Sequence, residues 1–159
     1  MDATAKKTML RMFTYGLYAV TAKDGEGGHG IAANWLSQVS FEPPMLAMAI
    51  EGDSHMRRLI DMHGAFVVNV LESGQRELAG QLGKTFAKHP EKMRDIQWKP
   101  SPLTASPILT VALGWVECRV KEEVPIGDHI LYTAEVVEAG VLREGVALTL
   151  KETGFRYFG

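Results

Sequence analysis

GIAANWLSQVSFEPPMLAMAI, residues 30–50, is the stretch around which the chain is organised. It opens on small residues, passes through Asn34, Trp35, Ser37, Gln38 and Ser40, meets Pro43-Pro44, and closes on the apolar run Met45 to Ile50. That run is uncharged and too short for a long helix, so it reads as a buried strand. Two prolines cannot sit inside a helix, and they favour extended chain before them. The polar group therefore occupies an irregular or extended segment that feeds a core strand. Such a loop either holds a polar ligand on a rigid support or is an ordinary connection capped by its serines.

Working outward, EGDSHMRRLIDMHG (residues 51–64) predicts a helix. Asp53 or Ser54 can cap its start, Met56, Leu59, Ile60 and His63 follow helical spacing, and Gly64 suits the left-handed position after its end. Arg57 and Arg58 fall in the first turn, where basic side chains oppose the helix dipole unless an anion docks there. Phe66 to Leu71 reads as a strand with Asn69 its lone polar residue, bonded to backbone or facing a ligand. Leu78, Leu82 and Phe86 recur every four residues and predict a helix over Arg76 to Lys88. The charged, proline-punctuated residues 88–109 read as a long surface connection. Val111 to Glu123 alternates as a strand with one wet face, and His129 to Leu142 is another strand. Upstream, Phe13 to Ala22 is rich in aromatic and β-branched residues and predicts a strand, closed by the turn residues Lys23-Asp24-Gly25.

Gly25, Gly27 and Gly30 imitate a dinucleotide fingerprint, with Glu51 about twenty residues on. That motif needs a helix opening at the third glycine. Pro43-Pro44 follows too soon for one, and Val39, Ser40 and Phe41 favour extension, so a glycine-rich hairpin is the better reading. Strands dominate and two helices interrupt them. The expected fold is mainly β: one domain over residues 1–159, an antiparallel barrel of six or seven strands with inserted helices.

The composition is that of an ordinary folded domain, 46% apolar and 23% charged, and 159 residues suffice for a real core. A net charge of −2 argues against a nucleic-acid binder that works by neutralising phosphates. The single cysteine, Cys118, excludes an intrachain disulfide and points to a cytoplasmic setting. No signal peptide or membrane span is expected. The five histidines include no ligand-spaced pair, so no metal site is expected. There is no G-x-S-x-G elbow and no partnered cysteine nucleophile. A polar loop, an anion-ready helix start and aromatic side chains are instead the parts of a cofactor site.

Five segments, in order, resemble the flavin reductase-like, FMN-binding split-barrel family: YGLYAVTAKDG (15–25), the 30–50 stretch, GAFVVNVL (64–71), LAGQLGKTF (78–86) and GDHILYTAEVVEAG (127–140). No one segment is specific; their order and spacing are. The resemblance implies an antiparallel, Greek-key split β-barrel that binds FMN, with FAD possible, and uses NAD(P)H as co-substrate. It implies that Ala33, Asn34, Trp35, Leu36, Ser37, Gln38 and Ser40 edge the flavin ring and ribityl chain. By the same resemblance, Asp53, Ser54 and His55, with Arg57 or Arg58, lie near the phosphate. Lys84, Thr85 and Phe86 would reach a flavin from a helix end, often that of a partner subunit, and His129 would position the nicotinamide.

Where many members have Thr-Ser or Ser-Ser, this chain has Asn34-Trp35, and the bulk of Trp35 could cover the ring. The implied activity is an NAD(P)H:FMN oxidoreductase passing electrons to a separate redox partner. The alternative is a flavoredoxin-like carrier with tightly held FMN. A split barrel taking haem or a deazaflavin instead is a third reading. A homodimer is expected, because the proline-punctuated connection and the aromatic residues 155–158 offer apolar surface that one small barrel does not cover.

Overall fold

Met45–Glu51 forms a strand, as its apolar run requires, and it lies inside a sheet rather than at an edge. In this computed structural model, residues 1–157 are described. A short helix α1 (Ala3–Leu10) precedes β1 (Tyr18–Asp24), β2 (Gly27–Ala33), β3 (Leu36–Ser40) and β4 (Met45–Glu51). Then come α2 (His55–His63), β5 (Ala65–Val70), α3 (Arg76–Leu82), β6 (Trp98–Pro100) and β7 (Pro107–Leu109). The long strands β8 (Gly114–Ile126) and β9 (His129–Val141) and a last turn of helix, α4 (Leu150–Thr153), complete the chain.

Seven strands make one sheet in the order β2-β1-β5-β8-β9-β4-β3, and every neighbouring pair is antiparallel. Its two end strands, β2 and β3, are joined only by Asn34 and Trp35. The sheet therefore bends round until its ends meet at that link, a split barrel with the crossed connections of a Greek key. Gly30 pairs with Thr21 inside β2, so no helix opens there and the dinucleotide reading is excluded. The glycines serve close packing. A Cβ on Gly28 would collide with Pro107, and one on Gly30 would lie 3.0 Å from both Leu82 Cδ2 and Met93 Sδ.

Inside the barrel Val20, Met48, Ile50, Phe66, Val68, Cys118 and Tyr132 pack with Met56, Leu59 and Ile60 of α2. Ser54 Oγ caps α2 by accepting from Arg57 N at 3.2 Å, and Gly64 ends it at φ +62°. His63, on the expected apolar spacing, is exposed. Asn69 serves backbone and not a ligand: its Nδ2 donates to Ala19 O at 3.3 Å, and its Oδ1 accepts from Leu109 N at 2.8 Å.

Four expectations need correction. The first strand starts at Tyr18, and Phe13 is exposed. α3 stops at Leu82, not Lys88. Gly80 and Gly83 weaken it, and Lys92 Nζ donates to Leu82 O at 2.7 Å and Lys84 O at 2.8 Å, taking carbonyls a longer helix would use. The 88–109 connection carries the β6–β7 hairpin and buries Met93, Ile96, Ile108 and Leu109. It also covers the face of β8 read as wet. Glu117 is fully buried there, accepting from Ser101 Oγ at 2.6 Å, Thr104 Oγ1 at 2.6 Å and Thr104 N at 2.8 Å. Of the aromatic residues 155–158, Phe155 packs within the chain under Arg76, whose guanidinium lies 4.7 Å from its ring centre. Phe158 lies outside the described residues. No helix among those described is long and apolar enough to cross a membrane.

Candidate functional site

The β2–β3 link, the end of β4, the start of α2 and the turn after α3 enclose a cleft of about 840 Å³. Trp35 O accepts from Ala49 N at 3.0 Å, which pins the link to β4. At this end the Trp35 and His129 rings meet at 4.6 Å with their planes 47° apart. His129 is fixed in turn by Asp128, Nδ1 to Oδ1 at 2.6 Å, and this contact holds the Asp128 carboxyl below its ordinary range. Beside them Asn34 is 8% exposed, and its Nδ2 has no hydrogen-bond partner. A buried amide left unpaired costs about 1–3 kcal/mol, so the position is one that a bound acceptor would relieve.

The α2 end is polar and partly open. Ser54, His55 and Met56, at the capped start of α2, line the cleft there, and the first turn of a helix is a natural anion seat. Across from it, the turn after α3 brings Phe86 flat against His55, centroids 3.9 Å apart and planes 8° from parallel. His55 Nε2 meets Asp24 Oδ2 at 2.8 Å, and His29 packs edge-on to both rings. Burial first, then the neighbouring Lys92 and His55, lower the His29 pKa to about 3, with Asp24 acting weakly the other way. Burial lowers Lys92 to about 8. Five cations line the cleft (Arg58, Lys84, Lys88, Lys92, Arg156) against two carboxylates, Glu51 and Asp53. A chain of net charge −2 thus gathers positive charge at one place.

The cleft takes in Ala33, Asn34, Trp35, Asp53, Ser54, His55, Arg58, Lys84, Thr85, Phe86 and His129 of the residues singled out in the sequence. It does not take in Leu36, Ser37, Gln38 or Ser40. These run along the outer strand β3, where Ser37 Oγ donates to Gln38 O at 3.1 Å and Gln38 Nε2 to Ser40 O at 3.1 Å. Arg57 is also outside it, with Nη1 donating to Gly52 O at 3.1 Å and Nε 3.1 Å from Asp61 Oδ2. The α2 arginine on the cleft is Arg58, which is 3.4 Å from Asp53 Oδ1. Sequence reasoning missed His29, Lys88, Lys92 and Arg156. Nothing local marked them; the fold gathers them from β2, the 88–109 connection and the end of the chain. Among the described residues no group of three or more His, Cys, Asp or Glu could hold a metal.

Residues 9–159 match the model of the flavin reductase like domain. The chain belongs to this family. It is 32% identical over 143 residues to the putative diflavin flavoprotein A 3 of Synechocystis sp., a match covering 89% of this chain but 24% of that protein. This chain thus spans about a quarter of that relative. Among solved structures it is similar to BorF, the flavin reductase component of a bacterial two-component tryptophan halogenase. The TM-score there is 0.83 at 26% identity, covering 98% of this chain and 97% of that one. It is also similar to the Streptomyces globisporus NADH:FAD oxidoreductase SgcE6, with TM-score 0.77 and 27% identity over 92% of this chain and 87% of that one. The flavin-binding oxidoreductase character of the family suits the cleft: an unpaired amide, aromatic walls, a capped helix start and an excess of cations fit a flavin and its phosphate.

Proposed function

We propose that the protein is an NAD(P)H:FMN oxidoreductase that delivers electrons to a separate acceptor. The observation that carries this reading is the unpaired Asn34 amide on the wall of the cleft, beside the Trp35–His129 pair. FMN would be held by Asn34 and Trp35 at its ring, and by the α2 start and Arg58 at its phosphate. When bound, the flavin supplies the redox chemistry, accepting a hydride from the nicotinamide and passing electrons onward. The protein itself binds, orients and keeps water out, and needs no nucleophile.

His129 is the residue that orients the nicotinamide on this reading. An ionised Asp128 only accepts, so it takes Nδ1–H and leaves Nε2 as the free ring nitrogen. The matched relatives guide the rest. SgcE6 is by name an NADH:FAD oxidoreductase, so FAD is a second candidate flavin. BorF serves a two-component halogenase, which suits a separate electron acceptor here. A homodimer is part of the proposal, because α1 buries no residue within the chain.

One observation favours the carrier reading instead: the Trp35–His129 contact narrows the place where a nicotinamide would enter. Binding separates the parts of the site. FMN and riboflavin titrations of the ligand-free protein should both show submicromolar to micromolar affinity, FMN the tighter. Arg58→Ala should weaken FMN severalfold and riboflavin much less, because a charge-assisted bond to phosphate contributes about 1.5–3 kcal/mol, less at an exposed side chain. Equal losses for both ligands would remove Arg58 from the phosphate seat, and no binding of either would sink the reading.

A further inference from the structure

Arg57 stands outside the cleft, yet it belongs to a ring of contacts that leaves β9 and returns to it. Buried Tyr132 on β9 donates its phenol to Asp61 Oδ1 at 2.6 Å. Asp61 Oδ2 lies 3.1 Å from Arg57 Nε, an ion pair across one turn of α2 without the alignment of a hydrogen bond. Arg57 Nη1 donates to Gly52 O at 3.1 Å, and Gly52 N donates to Asp128 O at 2.9 Å. Asp128 holds His129. Gly52 has little room to slide, since a Cβ there would already sit 3.3 Å from Asp128 O.

We propose that Arg57 is a positioning residue for His129, clamping Gly52 and so fixing the 127–129 turn from which His129 enters the cleft. The β8–β9 ladder closes this turn at Ile126 opposite His129, whereas on the β4 side the ladder ends at Glu51 opposite His129 and leaves Asp128 beyond it. The Gly52 N–H to Asp128 O bond is the next contact along on that side, and Arg57 holds the same glycine by its carbonyl, in the following peptide. Asp61 and Tyr132 fix Arg57 in turn. An arginine can serve both Gly52 and Asp61 because its planar fork presents donors in two directions. The assignment separates the two arginines of the first turn: Arg58 faces the cleft, and Arg57 shapes it from behind.

The proposal rests on His129 orienting a nicotinamide, so its test includes a readout that does not. Arg57→Ala and Asp61→Asn are compared with wild type in ligand-free protein by the ring ¹H and ¹³C shifts of His129. FMN-loaded protein then gives KM and kcat for NADH and NADPH, and titrations give the FMN to riboflavin affinity ratio. Both variants should move the His129 ring shifts while those of exposed His63 stay. They should raise the nucleotide KM about three- to tenfold with a smaller change in kcat, and leave the affinity ratio as in wild type. Unmoved His129 shifts, with only a lower melting temperature, would make Arg57 a scaffold residue and overturn the proposal. A selective loss of FMN over riboflavin in Arg57→Ala would overturn it too, by making Arg57 a phosphate ligand. A wild type that never oxidises NAD(P)H would defeat the functional reading alone, and the ring shifts would still decide the role of Arg57.

Discussion

Asn34 and His29 show how a single side chain can trade stability for a site. Asn34 keeps a buried amide donor unpaired, so Asn34→Leu should leave the ligand-free protein as stable or up to about 1 kcal/mol more stable. The same change should weaken FMN about fivefold or more. Thermal melts without ligand and FMN titrations check the two halves; a strong loss of ligand-free stability would mean that the amide has a structural partner. His29 is 3% exposed and held neutral, with its pKa near 3 against 6.5 when free. The unfolded chain therefore takes up a proton first as pH falls. Stability is full above the free value and declines as pH drops from there toward the folded value. Denaturant unfolding should show about 2 kcal/mol lost between pH 7 and pH 5 from this residue, absent in His29→Phe. Neither role could be read locally. Asn34 stood out as part of a polar loop, but that its amide is buried without a partner is set by the folded chain around it. His29 was one of five histidines with no ligand-spaced partner, and it is buried where the rings of His55 and Phe86 pack on it in the folded chain.

The elements that the sequence made legible are those whose signals are local. α2 has a side-chain cap, three apolar residues at helical spacing and a left-handed glycine, and it forms where those signals place it. Met45–Glu51 is a strand because its run is short and apolar. α3 was misjudged because Phe86 continues the four-residue spacing beyond Leu82 but belongs to a turn that stacks it on His55. Two glycines weaken the end of that helix, and a lysine from the following connection takes its carbonyls, which no local pattern announces. Lys92→Met should leave the carbonyls of Leu82 and Lys84 short of a donor, costing about 1–3 kcal/mol. It should also raise hydrogen exchange over residues 83–88. Unchanged exchange there would show that Lys92 does not hold the turn. β8 failed for a related reason: its alternation was read correctly, but the 101–109 segment that covers Glu117 and Trp115 lies far off in sequence only until the chain folds.

At the scale of the whole molecule, the barrel closes at the Asn34-Trp35 link and places its cleft on the same seam. That is why one stretch of sequence governs both fold and site. The remaining surface is less self-sufficient. α1 buries none of its residues, and Phe41, Met12 and Phe13 stay exposed. Sedimentation at micromolar concentration should accordingly give the mass of a homodimer; a monomer across that range would contradict the proposed assembly. The central claim, that the cleft brings a nicotinamide to a bound flavin with His129 as its guide, is tested most directly by anaerobic stopped-flow. FMN-loaded wild type and His129→Ala are mixed with NADH or NADPH, and bleaching of the flavin band is followed. Wild type should bleach in a nucleotide-dependent way with at least one of the two, and His129→Ala should need higher nucleotide concentration while holding FMN as tightly. A flavin that stays oxidised in wild type with both nucleotides, or equal bleaching in the two proteins at every concentration, would contradict the account.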